Sequence, residues 1–327
     1  MTKGAALRLG GIADIPESLA GCVVAVGNFD GVHRGHQAVL AVARELAEAE
    51  GRPLVCLTFE PHPRTVFRPD LPVARLTPAP MKARLLGALG FDAVVEQPFD
   101  RAFAALEPEA FVETVLVDCL KSHHVVAGFD FHYGAKRGGT PQTLSESGPR
   151  HGFGVTLVPA FADEGGETVS SSRIRALLEA GKVAEAAGLF GHRWTIRGEI
   201  VHGQKLGRSL GYPTANLVLE PDEMLKHGIY AVRLRRADGA LHDGVASFGR
   251  RPTFDNGATL FETFLFDFSG DLYGETVDVS IFAFLRGEAR FESAEALVTQ
   301  MDRDAEEAKA VLAGVAPLSP LDNAISF

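Results

Sequence analysis

The sequence predicts an α/β protein of two domains, a doubly wound sheet followed by an antiparallel β-barrel with one C-terminal helix. Residues 22–180 alternate short apolar runs, typical of buried strands, with amphipathic helical segments. After about residue 190, segments with period-two alternation are separated by Gly, Asp and Asn clusters. A chain of 327 residues is long enough for both folds, and we expect domains at 1–185 and 186–327.

In the first half, each strand signal is followed by a helix signal. Cys22–Val26 is apolar without helical spacing, which favours a strand buried on both faces. His36–Glu50 has helical periodicity and stops at Gly51. This alternation predicts parallel strand pairing. Further strands are expected at Leu54–Phe59, Ala93–Glu96, Val125–Gly128 and Val155–Pro159, and further helices at Met81–Leu89 and Glu109–Leu120.

In the second half, the strand signals are short and a long helix comes only near the end. Tyr230–Leu234, Leu260–Phe268 and Val277–Leu285 alternate with period two, and Ser293–Leu312 has helical spacing. This pattern predicts a compact antiparallel barrel or sandwich with one C-terminal helix. The junction between the two halves is expected between Ala180 and Gly191.

The composition excludes several functional classes. A net charge of -10 argues against a nucleic-acid-binding surface, although a local pocket can still bind ATP. Three widely spaced cysteines predict small buried hydrophobic residues rather than a disulfide framework or a zinc site. A signal-peptide pattern and an apolar run of ~18 residues are both absent from the sequence, so we expect a cytoplasmic protein without a membrane partner. A weak homo-oligomer is left open.

The glycine-rich stretch Gly27–His36 follows a predicted strand and opens a predicted helix. Backbone N–H groups and the positive helix end face an incoming anion at such a junction. His33 and His36 are three residues apart, so they can share a face and stabilise charge that builds on a phosphorus atom. A tight turn with surface histidines, or half of a metal site, remains the alternative.

The segment Ser170–Arg175 places three serines ahead of a helical run. Serine is a favoured helix N-cap, which is a sufficient structural reason for at least one of them. Hydroxyls, free N–H groups and the side chains of Arg173 or Arg175 could instead bind a triphosphate.

The stretch Gly203–Asn216 is the second glycine-rich motif and also contains Lys205 and Arg208. Thr214 and Asn216 are two residues apart, so they point the same way on an extended strand. Their oxygens are hard ligands that suit Mg²⁺ on a nucleotide. A hairpin with an Asx-type turn is the alternative.

Glu262 stands alone among apolar residues on one face of the predicted strand Leu260–Phe268. Burial on such a face is expected to raise the pKa of its carboxyl group and to suit it to general-base catalysis. A salt bridge to a neighbouring strand is the alternative. The other residues of that face are Leu260, Phe264, Phe266 and Phe268.

These motifs together resemble the prokaryotic bifunctional riboflavin kinase/FAD synthetase family. Residues from about 20 to 180 resemble its adenylyltransferase module, within the His-x-Gly-His nucleotidyltransferase superfamily, and residues from about 190 to 312 resemble its riboflavin kinase module. The resemblance implies a Rossmann-like nucleotidyltransferase domain and a six-stranded antiparallel Greek-key barrel. The matching stretches are Gly27–His36, Thr58–Pro63, Gly128–Gly134, Ser170–Arg175, Gly198–Gly203, Gly207–Asn216, Gly228–Tyr230, Gly249–Phe254, Glu262–Phe268 and Leu272–Gly274.

The resemblance also implies two reactions and their sites. Riboflavin and ATP would give FMN in the C-terminal domain, and FMN and ATP would give FAD and pyrophosphate in the N-terminal domain, both with Mg²⁺. His33 and His36 would contact the ATP phosphates, and Asp130 would lie at the flavin end. The remaining ATP-binding residues of this first site would be Gly27, Phe29, Asp30, Ser171, Ser172 and Arg175.

In the kinase module, the resemblance implies that Thr214 and Asn216 hold Mg²⁺ with ATP. Glu262 would take the proton from the ribityl hydroxyl. The loop that covers the nucleotide would contribute Gly203, Lys205, Gly207 and Gly211, and Arg251 would contact the flavin. Four residues depart from the usual family pattern, namely His132, Ser172, Ser247 and Phe264.

Three other functions are consistent with parts of the sequence. In a chain with kinase activity alone, the first module would have decayed, which the intact histidines and the serine-arginine segment oppose. A flavin-binding regulator without catalysis is opposed by the presence of Thr214, Asn216 and Glu262. A general adenylyltransferase fused to an unrelated barrel does not explain why both halves match one family in the same order.

Overall fold

The computed structural model describes residues 6–202, 212–218, 224–250 and 259–327. The chain splits into two compact units, Met1–Ser170 and Ser171–Phe327. The domain boundary expected between residues 185 and 186 stays a prediction. Among the described residues, none of the helices combines the length and the apolar character that a membrane span requires.

The first unit is built on a parallel sheet whose strand order reverses at its centre. The chain runs outward from β2 through β3 and β4, and then crosses back to place β5 on the other side of β2. In such sheets, ligands bind where the order reverses, outside the carboxyl ends of the strands. In the order β1-β4-β3-β2-β5-β6, the strands are β1 (Leu7–Leu9), β2 (Val23–Val26), β3 (Leu54–Glu60), β4 (Ala93–Pro98), β5 (His124–Gly128) and β6 (Gly154–Val158).

Helices connect these strands, and α1 (Arg34–Glu50) is the one that follows β2. It buries Val39, Leu40 and Ala43 and ends at Gly51, whose φ of 61° is left-handed. The single α-helix expected at 109–120 is instead a short α4 (Pro108–Phe111) that continues as a π-helix over Val112–Cys119. The other helices are α2 (Pro63–Phe67), α3 (Ala79–Ala88) and α5 (Pro141–His151); α5 and the strand β1 were not expected from the sequence.

The core of this unit lies on both faces of the sheet. Every residue of β2 is buried, as expected for a central parallel strand. Cys22 and Cys56 are buried and free, and burial raises the pKa of each thiol to about 12. Cys119 is also free but only partly buried. The prediction of unpaired cysteines is confirmed, and the two in the core behave as small hydrophobic residues.

The second unit begins with two helices and continues as a closed antiparallel barrel. Its strand order is β10-β11-β8-β7-β12-β9, and β9 and β10 close the ring. The predicted α/β fold class, with a six-stranded barrel after a parallel sheet, is confirmed. The elements are α6 (Ser171–Glu179), α7 (Val183–Phe190), β7 (Thr195–Val201), β8 (Thr214–Val218), β9 (Gly228–Arg235), β10 (Leu241–Arg250), β11 (Thr259–Leu265), β12 (Thr276–Arg286), α8 (Ala294–Ala313) and α9 (Pro320–Ser326).

The C-terminal helix α8 packs on the barrel. Ser293 caps it by accepting a hydrogen bond from the N–H of Ala296 at 3.2 Å. Ala308 and Leu312 on its apolar side join an apolar cluster with Val245 and Phe282 of the barrel strands. Burial of this apolar surface fixes the helix beside β9, β10 and β12.

Candidate functional site

The loop between β2 and α1 has an unusual backbone. Phe29 and Val32 have φ values of 46° and 42°, and Gly31 has a φ of 94°. A left-handed conformation is costly for a β-branched residue such as Val32, and it persists only where the surrounding structure enforces it. Such strain is typical of ligand-binding loops. The loop lies at the carboxyl end of β2, beside the reversal of strand order.

Two stacked histidine rings begin helix α1. His33 caps the helix, and its Nδ1 accepts a hydrogen bond from the N–H of His36 at 3.3 Å. The two ring centroids are 3.6 Å apart with an interplanar angle of 16°, and the edge of the Phe29 ring packs on His36. Because Nδ1 of His33 is an acceptor, neutral His33 carries its proton on Nε2, and this N–H can donate a hydrogen bond to a ligand.

His36 remains neutral to lower pH than an ordinary histidine. Desolvation lowers its pKa well below 6.5, and the nearby charges of His33 and Lys82 lower it further. Its Nδ1 is buried and has no hydrogen-bond partner among the residues that the structure describes. A buried ring nitrogen without a partner beside a helix N-terminus suits a bound polar ligand.

Asp30, a residue of the same loop, anchors it to a neighbouring segment. This buried carboxylate accepts hydrogen bonds from the N–H groups of Thr77 at 3.0 Å and Leu76 at 3.3 Å. The N–H of Gly31 donates in turn to the Thr77 hydroxyl at 2.8 Å. These bonds tie the loop to the segment ahead of α3. The expected contact of Asp30 with ATP stays a prediction.

A partly buried ionic network, which the sequence motifs do not indicate, lies next to the same loop. Glu60 contacts both Arg75, with Nη2 to Oε1 at 2.7 Å, and Lys82, with Nζ to Oε1 at 2.7 Å. Burial raises the pKa of the Glu60 carboxyl, but the hydrogen bonds and charges of Arg75 and Lys82 outweigh it and leave that pKa below its usual range. Glu60 lies in the quoted stretch Thr58–Pro63, whereas Lys82 has no local signal.

The structure brings some of the predicted residues to one edge of the sheet. Val26 and Ala127 are register partners at the carboxyl ends of β2 and β5, so Gly27 and Asp130 follow neighbouring strands. Asp130 is exposed, and its carbonyl oxygen lies 2.8 Å from Nδ1 of His132. The predicted residues Ser171, Ser172 and Arg175 lie in α6 of the second unit, and their contact with ATP stays a prediction.

In the barrel, three predicted residues share one face. Asn216 on β8 is the register partner of Glu262 on β11, and Thr214 is two residues from Asn216 on the same strand. Ser247 on β10 is the register partner of Glu262 on its other side. Cross-strand partners lie within contact distance, so these polar side chains form one row.

Asn216 offers an oxygen that the described residues leave unused. The side chain is 3% exposed, and within the described part of the chain its Oδ1 has no hydrogen-bond partner. Its Nδ2 donates only a long bond of 3.4 Å to the carbonyl of Thr214. A buried carbonyl oxygen without a donor costs about 1–3 kcal/mol, and a ligand bound at this point would offset that cost. A hard cation is one group that it suits.

The expected burial of Glu262 on an apolar face is wrong. Glu262 is only partly buried, whereas Phe261, Thr263 and Leu265 are the buried residues of β11. The strand also ends at Leu265, before a turn in which Asp267 has a φ of 52°. Both faces of this strand carry apolar residues, so period two alone did not decide which one enters the barrel core.

Tyr212 fixes the chain where it enters β8. Its ring packs on Phe264 with centroids 4.7 Å apart, and its hydroxyl donates a hydrogen bond to Asp302 on α8. Burial and the Asp302 carboxylate together raise the pKa of Tyr212 to about 12. The predicted residues Gly203, Lys205, Gly207, Gly211 and Arg251 lie outside the described residues.

The fold and the sites define a nucleotide-binding α/β domain joined to a barrel with a metal-compatible polar row. The family model for FAD synthetase matches residues 15–173, and the family model for riboflavin kinase matches residues 190–312. The chain belongs to the bifunctional riboflavin kinase/FMN adenylyltransferase family.

Relatives of that description match nearly the whole chain. The protein from Pseudomonas fluorescens is 40% identical over 304 residues, which cover 93% of this chain and 97% of the relative. The protein from Escherichia coli K12 is 39% identical over 284 residues, covering 87% and 90%. A crystal structure described as a macrolide-efflux protein from Streptococcus pneumoniae superposes with a TM-score of 0.80 at 32% identity, covering 96% of this chain and 100% of that one.

Proposed function

We propose that this chain is a bifunctional enzyme that converts riboflavin to FMN and then FMN to FAD, with ATP as co-substrate in both steps. The observation that supports the proposal is that each of the two units carries a group of residues suited to one of the two reactions. The stacked histidines at a helix N-terminus suit a polyphosphate, and the row of Thr214, Asn216 and Glu262 suits a metal-bound nucleotide and a hydroxyl.

In the first unit, an oxygen of the FMN phosphate attacks the α-phosphorus of ATP. The new phosphorus–oxygen bond forms as the bond to the pyrophosphate group breaks. His33 donates a hydrogen bond from Nε2, and the positive N-terminal end of α1 stabilises the charge that develops on the phosphate oxygens. The strained loop before His33 holds these donors in place without reorganisation.

In the barrel, the ribityl hydroxyl of riboflavin attacks the γ-phosphorus of ATP and ADP leaves. Glu262 accepts the hydroxyl proton, and its partial exposure leaves the carboxylate accessible to a substrate. Thr214 and the unpartnered Oδ1 of Asn216 would hold Mg²⁺, which would neutralise phosphate charge. Both reactions use ATP, so we propose a cytoplasmic location and the small molecules ATP, riboflavin and FMN as partners.

A time course of flavins tests this function. The purified chain is incubated with riboflavin, ATP and Mg²⁺, and the flavins are separated chromatographically. We expect FMN first and FAD later, and no conversion when Mg²⁺ is omitted. If the folded chain consumes no riboflavin and no FMN, the proposal is wrong.

Two substitutions test the assignment of each step to one unit. Glu262→Gln is expected to reduce FMN formation by at least about a hundredfold while supplied FMN is still converted to FAD. His36→Ala is expected to do the reverse. The matched controls should change neither step. They are Glu199→Gln, which alters an exposed carboxylate on β7, and His123→Ala, which removes a histidine paired with Glu50. Loss of both steps in either active-site variant would contradict the division.

A further inference from the structure

Helix α3 holds the loop between β2 and α1 through one buried lysine. Lys82 is 0% exposed, and its Nζ donates hydrogen bonds to the Thr58 hydroxyl at 2.8 Å and to the carbonyl of Asn28 at 3.2 Å. The Thr58 hydroxyl donates to the same Asn28 carbonyl at 3.0 Å. Two donors therefore fix the peptide group immediately before Phe29, where the backbone becomes left-handed.

The same ammonium completes a set of four charges, of which Lys82 and Asp30 are buried and Glu60 and Arg75 are partly buried. Glu60 pairs with Lys82 and Arg75, and Nε of Arg75 lies 3.6 Å from a carboxylate oxygen of Asp30. The two cations, Lys82 and Arg75, thus balance the two carboxylates, Glu60 and Asp30. Without the lysine, the remaining three groups would carry a net negative charge under a site proposed to bind a triphosphate, and like charges in a buried setting repel strongly.

We propose that Lys82 is a positioning residue for the adenylylation step. It fixes the loop through the Asn28 carbonyl, and its charge neutralises the group of Asp30, Glu60 and Arg75 next to the proposed ATP site. The residue does not touch the substrates and acts through the loop and the histidine pair. This proposal rests on the proposed adenylyltransferase function of the first unit.

The charge of Lys82 also reaches His36. The groups that act on this histidine are His33, stacked on it, and Lys82 from α3, and both lower the pKa of His36 in addition to desolvation. Removal of the lysine charge is therefore expected to raise the pKa of His36. A residue that only filled space in the core would not produce this effect.

The test is the variant Lys82→Met, which keeps the length of the side chain and removes the charge. We expect kcat/KM for ATP in the conversion of FMN to FAD to fall by at least about tenfold, because small displacements of positioned groups cost rate steeply. The NMR titration of His36 should move to higher pH. Riboflavin phosphorylation by the same chain should stay unchanged, which shows that the variant is folded outside the loop.

Lys121→Met is the matched control, because Lys121 is an exposed lysine paired with Glu17 in the same unit. It should leave both activities and the His36 titration unchanged. If Lys82→Met does not fold, Glu60→Gln with Lys82→Met removes the buried pair together, which is a milder change than one unpaired carboxylate. The double variant leaves the charges of Asp30 and Arg75 balanced but still removes the Lys82 donor to the Asn28 carbonyl, so we expect a loss of adenylylation smaller than that of Lys82→Met. Because the Lys82 charge is absent, the pKa of His36 should again rise.

The proposal is overturned if either folded variant makes FAD at the wild-type rate. It is also overturned if adenylylation falls while the His36 titration stays where it is in the wild type, since Lys82 would then have a structural role alone. A wild-type chain that makes FMN but never FAD would instead refute the adenylyltransferase function itself.

Discussion

Single residues at the first site are held in states that they would not adopt in isolation. His36 stays neutral at acidic pH values at which a free histidine is protonated, and Val32 is kept at a positive φ. Each state costs folding free energy, which the packing of the whole unit must supply. The consequence is a site whose donors are already oriented before a ligand arrives.

The neutral state of His36 predicts how stability depends on pH. The folded-state pKa lies below the reference value of 6.5, so the unfolded chain takes up a proton near pH 6.5 that the folded chain does not. The free energy of unfolding is therefore expected to fall as the pH drops below about 6.5 and to be constant with respect to this group above pH 7. His124, whose pKa desolvation also lowers, should add to the same trend.

Urea unfolding followed by circular dichroism between pH 7 and pH 5.5 checks this prediction. The variant His36→Gln cannot be protonated, so its stability should depend less steeply on pH than that of the wild type. His132→Gln provides the control, because this exposed histidine lies in the same unit and contributes to the pKa shift of neither His36 nor His124. Identical slopes for His36→Gln and the wild type would refute the proposed origin of the pH dependence.

At the scale of elements, the short helix α9 is attached to the start of the barrel by a buried ion pair. Asp322 is 0% exposed, pairs with the Arg193 guanidinium and accepts the N–H groups of Arg193 and Leu318 at 2.8 Å each. The Arg193 guanidinium also lies over the rings of Phe282 and Phe327 at 5.0 and 5.4 Å. A single charge left in this place would be strongly unfavourable.

Asp322→Ala is therefore expected to lower the free energy of unfolding of the second unit by about 3–5 kcal/mol. The chain has one tryptophan, Trp194, which is buried next to Arg193, so its fluorescence reports the unfolding of this region in urea. The double variant Arg193→Met with Asp322→Leu should lose less stability than Asp322→Ala alone. Asp238→Ala, an exposed carboxylate, is the control and should lose little; an equal loss in all three would refute the role of the pair.

Local periodicity predicted most elements but not how they contact one another. The alternation in β11 identified Glu262 and Phe264 as neighbours on one face, yet the packing of the barrel decided that Phe261 and Leu265 are inside. Lys82 reaches Asn28 across 54 residues, and a lysine on a predicted helix gives no sign of such a contact. The π-helix at Val112–Cys119 likewise follows from packing rather than from a local pattern.

At the scale of the whole molecule, the change from helix-and-strand alternation to period two predicted a doubly wound sheet followed by an antiparallel barrel or sandwich, and the family resemblance favoured the barrel. Within each unit, the motifs predicted which residues are neighbours. His33 and His36 are stacked in the first unit. In the second unit, Asn216 and Glu262 are register partners, and Thr214 lies two residues from Asn216 on the same strand. The supporting charges of Glu60, Arg75 and Lys82 come from three separate segments, so only the folded chain shows them.

Because each chemical step is assigned to its own unit, two inactive variants should complement each other. His36→Ala is expected to make FMN but not FAD, and Glu262→Gln is expected to make FAD only from supplied FMN. FMN is a small charged molecule that can dissociate into solution, so a mixture of the two variants supplied with riboflavin, ATP and Mg²⁺ is expected to make FAD. Chromatography of the flavins over time should show FMN accumulating before FAD appears, and dilution of both variants should lengthen that delay. Each variant alone serves as the control: His36→Ala should stop at FMN, and Glu262→Gln should leave riboflavin unchanged. A mixture that stops at FMN, although Glu262→Gln converts added FMN, would show that FMN made by one chain does not reach another and would refute transfer through solution.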